Sequence, residues 1–304
     1  MKSRSLKICI VSDGTDTIMQ SREVAARLSP EGNITKIYKD ETITENFPDL
    51  AIGVGFNVTD ALVSIKNNSK GKTKIAVMLD PLKNYEDFDF IILPAYEPYK
   101  IKTNNVIRTT GLINFVNQNY IEAQKYEYQN HPKYKFLRNI NTLKPPFLSV
   151  IIGGRHTGGT IDEYDTENIA TRINEIVSAS GGSALITTSR RSEVHVPEIL
   201  RQELKVPYFL YDYKTRNTEN PYGVFLALAD EIIVTGESVR MLSETCSVGK
   251  PVRIYCPRAY GFQYKPLIDD LLKGGHASDF IGPLTGTKKL DEAGRVADII
   301  RKGL

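Results

Sequence analysis

The segments of this chain whose residues could carry chemistry are rich in glycine, hydroxyl and guanidinium groups. The first is Ile151-Ile152-Gly153-Gly154-Arg155-His156-Thr157-Gly158-Gly159-Thr160, where an apolar stretch runs into glycines and threonines. Glycines let a backbone approach an anion closely, and the N–H groups that open a helix favour phosphate. The run matches neither G-x-G-x-x-G nor a Walker loop, because Thr160 follows Gly159. A plain flexible turn is the competing reading. Thr187-Thr188-Ser189-Arg190-Arg191-Ser192 sets hydroxyls beside two guanidiniums. That supply of donors suits a diphosphate or a carboxylate, although a helix N-cap at Ser192 explains part of it.

The third segment, Thr235-Gly236-Glu237-Ser238, lies where an apolar run gives way to a helical pattern. Hydroxyls and backbone N–H groups converge there. Glu244, in that helix, is placed to accept from sugar hydroxyls, the task an acidic group performs for ribose in other nucleotide folds. A surface glutamate in a well-capped helix is the alternative. In Asn220-Pro221-Tyr222, Asn220 or Tyr222 could meet a base or sugar edge, and the same triplet also reads as a proline-led helix start. Near the N-terminus, Asp13 and Asp16 in Ser12-Asp13-Gly14-Thr15-Asp16-Thr17 are candidate general bases for an acceptor hydroxyl. Turn formation competes for both.

Other chemistries find little support. The histidines 131, 156, 195 and 276 are scattered, no Cys/His cluster or G-x-S-x-G elbow occurs, and no metal site is expected. Asp87-Phe88-Asp89 reads as a turn entering a strand. The formal charge of +3 is too weak a bias to predict nucleic-acid binding. Three cysteines without a C-x-x-C pair point to buried thiols in a reducing compartment. No signal peptide and no apolar run of about 18 residues is found, so a cytoplasmic protein is expected, attached at most peripherally to a membrane. The Lys125–Lys144 stretch, with five basic residues, one Glu and interleaved Tyr and Phe, suits either such contact or a solvated helix and linker.

Short β-branched runs alternate with helix-length amphipathic stretches, and these must position the loops. The strands expected are Ile8–Val11, Leu50–Phe56, Lys74–Leu79, Phe90–Leu93 and Val106–Thr109, then Leu148–Gly153, Ala184–Thr188, Tyr208–Tyr211, Glu231–Val234 and Val252–Cys256. Runs apolar on both faces suit parallel sheets covered by helices on either side. Helices are expected over Asn114–Gln129, Asp162–Ser180, Gly223–Ala229, Ser238–Val248 and Asp291–Lys302. Asn139–Phe147, with adjacent prolines, reads as an extended linker. The expected architecture is therefore α/β, with two Rossmann-like domains over residues 1–143 and 144–304, a cleft between them, and the last helix packing back on the first domain.

Several strings carry a family resemblance. They are Asp13-Gly14 with Gln20, PDLAIGVG (Pro48–Gly55), MLDP (Met78–Pro81), FDFIILP (Phe88–Pro94), TTGLIN (Thr109–Asn114), VIIGG (Val150–Gly154), ITTSRR (Ile186–Arg191), ENPYGVFLALAD (Glu219–Asp230), VTGESVRMLSET (Val234–Thr245) and GKPV (Gly249–Val252). Through nearly its whole length the chain resembles the mitochondrial fission ELM family, named for a plant elongated-mitochondria protein. It departs at Glu237, where the family usually has Asp, and at Tyr96-Glu97, where it usually has His-Asp.

The resemblance implies a GT-B glycosyltransferase-like fold with a nucleotide-sugar donor in the C-terminal domain and no metal or other cofactor. Glu244, Gly249 and Pro251 form E-x4-G-x-P, similar to the donor signature of lipid-linked N-acetylglucosaminyltransferases, and by that likeness Glu244 would hold the ribose. Gly153, Gly154, Arg155, Thr188, Ser189, Arg190, Asn220, Tyr222, Thr235, Ser238 and Met241 complete the expected nucleotide-sugar site. The expected partners are the donor and an acceptor of open identity, lipid-linked acceptors included. A non-catalytic adaptor of the same family and a nucleotide-sugar epimerase stay open beside the glycosyltransferase.

Overall fold

The computed structural model describes residues 6–304 apart from 16–17, 84, 98–102, 158, 216–217, 260 and 262–263. In chain order the first elements are β1 (Ile8–Ser12), α1 (Ile18–Leu28), β2 (Ile34–Tyr38), β3 (Leu50–Val54), α2 (Thr59–Asn68), β4 (Lys74–Met78), β5 (Phe90–Pro94) and β6 (Val106–Thr109). There follow α3 (Gln118–Asn130), a 3₁₀ segment (Pro132–Thr142), β7 (Phe147–Ile152), α4 (Glu163–Ser180), β8 (Ser183–Thr188), α5 (His195–Glu203) and β9 (Tyr208–Tyr211). The last are α6 (Tyr222–Leu228), β10 (Glu231–Thr235), α7 (Val239–Cys246), β11 (Val252–Tyr255), α8 (Lys265–Lys273), β12 (Ser278–Asp279) and α9 (Glu292–Gly303). Two compact units result: 1–115 with 291–304, and 116–290.

The first unit holds a parallel six-stranded sheet in the order β2-β1-β3-β4-β5-β6. Alternation along its strands feeds two apolar layers. Ile8, Ile10, Leu50, Ile52, Ala76 and Met78 face one layer, which Val24, Ala25 and Leu28 of α1 and Val296, Ala297 and Ile300 of α9 complete. Cys9, Val11, Ala51, Ile75 and Val77 face the other, covered by Leu62 and Ile65 of α2. The last helix thus belongs to the first unit. Its apolar positions recur at helical spacing, Asp291 caps its start, and Arg27 pairs with Asp291 at 2.9 Å.

The second unit has a parallel sheet in the order β12-β11-β10-β7-β8-β9. One face packs against Ile169, Ile173 and Val177 of α4 and Val196 and Leu200 of α5. The opposite face is covered by Val224 and Phe225 of α6 together with Tyr134, Leu137 and Ile140 of the 3₁₀ segment, against Leu185, Phe209 and Tyr211. The unit therefore begins at Val116, ahead of the expected boundary at 143/144. The stretch read as a solvated helix and linker is structural cover for β8 and β9. Its three buried side chains recur at the period of three that a 3₁₀ helix imposes.

Among the described residues two strands escape the expectation, β2 and β12. Cys256 is exposed rather than buried, because β11 ends one residue before it. No described helix is long and apolar enough to cross a membrane. Leu137→Ala is expected to destabilise the protein by about 2–5 kcal/mol, measured by urea unfolding, since Leu137 is fully buried in this cover. A change near zero would return the segment to the status of a solvated linker.

Candidate functional site

In the second sheet the chain leaves β7 for β8 and β9 on one side, then returns to β10 on the other. The switch point is the crevice beyond the carboxyl ends of β7 and β10, where open α/β sheets bind ligands. Gly153 and Gly154 follow β7, and Gly236, Glu237 and Ser238 follow β10.

A buried carboxyl group ties these two loops together. Glu237 is fully buried, and its Oε1 accepts from the Gly154 N–H at 3.0 Å and from the Thr235 hydroxyl at 3.2 Å. Thr235 Oγ1 in turn accepts from the Gly153 N–H at 2.9 Å. Glu237 Oε2 has no hydrogen-bond partner among the described residues. Burial pushes the Glu237 carboxyl up to about 7, against the opposing effect of its hydrogen bonds.

Both glycines are dictated by this packing. A Cβ on Gly153 would lie 1.6 Å from Glu237 Oε1, and one on Gly154 would lie 2.1 Å from the Arg191 carbonyl oxygen. The sequence attributes these glycines to an approaching anion, whereas their immediate cause is the close approach of other parts of the chain. The loop after β8 interlocks in the same way. Ser192 Oγ accepts from Ser189 N–H at 2.9 Å and donates to the Gly153 carbonyl. Arg155 N–H donates to the Arg191 carbonyl at 3.1 Å.

Several of the expected ligand-binding hydroxyls are engaged in the chain itself. Thr188 Oγ1 accepts from Tyr213 N–H at 3.0 Å, and Ser189 Oγ accepts from Arg191 N–H at 3.1 Å. Ser238 caps α7 by accepting from Met241 N–H at 3.5 Å. Asn220 Oδ1 accepts from Tyr222 N–H at 3.0 Å and from the Thr187 hydroxyl at 3.4 Å, which fixes the start of α6. The guanidiniums are freer. Arg190 and Arg191 are exposed, and neither side chain has a hydrogen-bond or ion-pair partner among the described residues. Arg155 is 80% exposed and pairs only loosely with Glu193, at 3.3 Å. The loops after β7 and β8 thus carry a cationic rim.

Glu244 has the opposite setting. It is 5% exposed, its Oε2 accepts from the Tyr222 hydroxyl at 2.8 Å, and its Oε1 lies 3.4 Å from Arg240 Nε. Burial raises its pKa, while the Tyr222 hydrogen bond and the Arg240 charge oppose the rise. Burial, and after it the same carboxylate, drives the Tyr222 phenol well above its ordinary value. Tyr120, on α3, is electrostatically coupled to Glu244 as well and is pushed up chiefly by burial. A Cβ on Gly223 would meet Tyr120 Oη at 2.3 Å, so that glycine lets α3 lie close against α6. Sequence reasoning missed Tyr120, and it named Glu237 in the third segment without giving it a role in the site. The Gly-Glu pairing across two strand ends was the only signal for Glu237, and it is visible only once the strand order is known.

Asp13 belongs to the first unit, at the switch point between β1 and β3 of that sheet. Its Oδ1 accepts from Thr15 Oγ1 at 2.6 Å and Thr15 N–H at 3.0 Å, and its Oδ2 from Asn57 Nδ2 at 3.1 Å. These bonds, the Thr15 hydroxyl foremost, hold its carboxyl below the usual range. Asp13 is therefore a weak base and a good hydrogen-bond acceptor. Asp16 and Gly158 lie outside the described residues.

A family model described as "Mitochondrial fission ELM1" matches residues 11–304. An uncharacterized protein of Rickettsia prowazekii (strain Madrid E) is 27% identical over 293 residues, covering 84% of this chain and 80% of that protein. The mitochondrial fission protein ELM1 of Arabidopsis thaliana is 23% identical over 239 residues, covering 70% of this chain but only 53% of the plant protein. Among solved structures, the UDP-GlcNAc 2-epimerase of Neisseria meningitidis, bound to UDP-GlcNAc, is similar with a TM-score of 0.52 at 12% identity. The match covers 97% of this chain and 98% of the epimerase. At that identity the likeness speaks for the fold, two Rossmann-like units of the GT-B type.

Two measurements probe the buried carboxyl. Its folded value, about 7, lies above the ordinary 4.5, so the folded state prefers the proton. The stabilisation is complete below about pH 4.5 and is lost as pH rises through about 7, amounting to roughly 3 kcal/mol. Urea unfolding of the protein and of Glu237→Gln should therefore diverge between about pH 5 and about pH 8, with only the parent losing stability through this group. Gly153→Ala should cost at least about 2 kcal/mol. In a Glu237→Ala background the cost should fall by about 1 kcal/mol or more, because the clashing atom is gone.

Proposed function

Since this chain belongs to the mitochondrial fission ELM1 family, we propose that its second unit binds a nucleoside-diphosphate sugar and that the chain acts as a metal-independent glycosyltransferase. The observation that carries the reading is Glu244, a nearly buried carboxylate on the helix that starts at the switch point, braced by Tyr222 and Arg240. A carboxylate offers about four lone-pair sites, so these two neighbours leave acceptor capacity for ribose hydroxyls. The exposed Arg190, Arg191 and Arg155 supply the positive charge a diphosphate needs, and Arg suits its oxygens in bidentate fashion. The related fold of the Neisseria epimerase, bound to UDP-GlcNAc, supports the choice of ligand class.

In the transfer step an acceptor hydroxyl oxygen would attack the anomeric carbon as the bond to the diphosphate oxygen breaks. The departing nucleoside diphosphate takes the bonding pair, and the arginine rim stabilises the charge that develops on it. Asp13 is the candidate of the first unit to accept from the acceptor hydroxyl. Its depressed pKa favours orienting that hydroxyl, whose proton would leave to water as the glycosidic bond forms, over removing the proton itself. This same property gives the second reading its support: a chain that binds the nucleotide sugar but acts as an adaptor, without turnover.

Calorimetric titration with UDP, ADP and GDP tests the binding step. Saturable binding of at least one is expected, weakened about tenfold or more in Arg190→Ala and in Glu244→Gln, since each removes a charge-assisted hydrogen bond. Failure of all three to bind, or affinities untouched by both substitutions, would overturn the reading. Binding without release of nucleoside diphosphate from a sugar donor and acceptor mixture would favour the adaptor.

A further inference from the structure

The 3₁₀ segment that covers β8 and β9 has a second face. With three residues per turn, side chains three apart eclipse one another, so Tyr134, Leu137 and Ile140 point into the core. Pro132, Lys135, Arg138 and Asn141 fall on another row and line a cavity of about 340 Å³, together with residues of the α3 end such as Tyr128 and His131. The cavity is remote in sequence from the loops that follow β7, β8 and β10.

Its lining is biased towards hydrogen-bond donors. Lys135 and Arg138 are exposed, and neither has a hydrogen-bond or ion-pair partner among the described residues. Neighbouring Lys133 is different, since its ammonium is paired with Glu127 at 2.7 Å. That pairing engages the Glu127 carboxylate away from Lys135 and Arg138. Lys133 N–H donates to His131 Nδ1 at 3.2 Å, which leaves Nε2 as the nitrogen that carries the hydrogen. Asn141 Oδ1 accepts from the Tyr128 hydroxyl at 2.7 Å, which leaves the Asn141 amide its two N–H groups and one lone pair to offer.

The acceptors open to a ligand are the Tyr128 phenol, whose hydrogen goes to Asn141, and the amide oxygens of Asn130 and Asn141. Each of these oxygens retains a lone pair for an incoming hydroxyl. A ligand that satisfies this lining has a multiply charged acceptor group for Lys135, Arg138 and His131, and hydroxyls for these oxygens. The volume lies at the small end of ligand pockets, which run to about 300–1,000 Å³, and suits a single ring.

We propose that this cavity binds a phosphomonoester carried on a hydroxylated ring, held by Lys135 and Arg138 and oriented by Tyr128, Asn141 and His131. That chemistry is found both in free polyol phosphates and in phosphorylated inositol lipid headgroups. The proposal is independent of the nucleotide-sugar reading.

The test uses the full chain and two probes. Free myo-inositol 4-phosphate is titrated calorimetrically, and phosphatidylcholine vesicles carrying phosphatidylinositol 4-phosphate are assayed by co-sedimentation, with phosphatidylserine vesicles of matched charge as reference. Binding is expected in at least one arm, with an affinity about tenfold or more weaker in Lys135→Ala/Arg138→Ala. Both replaced side chains are exposed, so the variant should keep the parent's unfolding midpoint. Binding of the free phosphate alone assigns a soluble ligand, and capture of the inositol-lipid vesicles assigns a headgroup. No binding in either arm, equal capture by phosphatidylserine, or an unchanged affinity in the double variant would each overturn the proposal.

Discussion

The junction between Glu237 and the loop after β7 constrains the whole carboxyl end of the second sheet. One carboxyl oxygen receives the Gly154 N–H and the Thr235 hydroxyl, and Thr235 receives the Gly153 N–H. The two bonds from the glycine N–H groups cross from β7 to β10, the two strands that flank the switch point, and the Thr235 hydroxyl bond braces Glu237 on the β10 side. A buried polar group without partners costs about 1–3 kcal/mol, so the arrangement that satisfies Oε1 is strongly selected over a slipped one. The rest of the region depends on it. Ser192, bonded to the Gly153 carbonyl, and Arg191, bonded to the Arg155 N–H, lock the loop after β8 onto the loop after β7. Ser238, next to Glu237, starts the helix that carries Glu244.

This rigidity changes how an anion would be held. The hydroxyls of Thr188, Ser189, Thr235 and Ser238 already serve the loops and the helix cap. Their role is to fix the backbone from which the exposed arginines extend. Long-armed cations on a rigid base can close around a diphosphate without refolding the loops. The cost is the side-chain entropy of ordering each arginine, about 2 kcal/mol at most. Preorganised loops with adaptable charge are a sound division of labour for a site whose ligand must also leave.

Much of the fold is legible from the sequence, and the exceptions have physical causes. Strands apolar on both faces, such as Ile8–Ser12 and Phe147–Ile152, declare themselves because helices cover both sides of the sheet. β2 is an edge strand with exposed Thr35 and Lys36, so its pattern is too polar to be recognised. β12 has two residues, below the length at which any period can be read. The 3₁₀ segment was misread because its apolar residues recur every third position, a period belonging to neither an α-helix nor a strand. Of the site, the residue types and the loops were legible. What escaped was which groups satisfy one another: Glu237 meets Gly153 and Gly154 across 83 residues of chain in the case of the Gly154 bond. Glu237 also stands beside Ser238, where local sequence gives no sign of burial.

The two switch-point carboxyls show why composition alone could not assign acid–base roles. Asp13 and Glu237 each follow a strand beside their own sheet's switch point, and each accepts hydrogen bonds from backbone and hydroxyl donors. By residue type they are interchangeable. Solvent separates them. Asp13 keeps access to water, so its bonds from Thr15 and Asn57 dominate and hold it ionised. Glu237 has lost water entirely, and desolvation outweighs bonds of the same kind, raising it to about 7. A group held low can orient a hydroxyl but takes its proton reluctantly. A group near neutrality can hold a proton or release it, yet the burial that tunes Glu237 also shuts it off from exchange with a bulky substrate. It follows that Glu237 governs the geometry of the second unit's loops rather than the proton inventory of a reaction, while Asp13 stays ionised and open to water in its own unit.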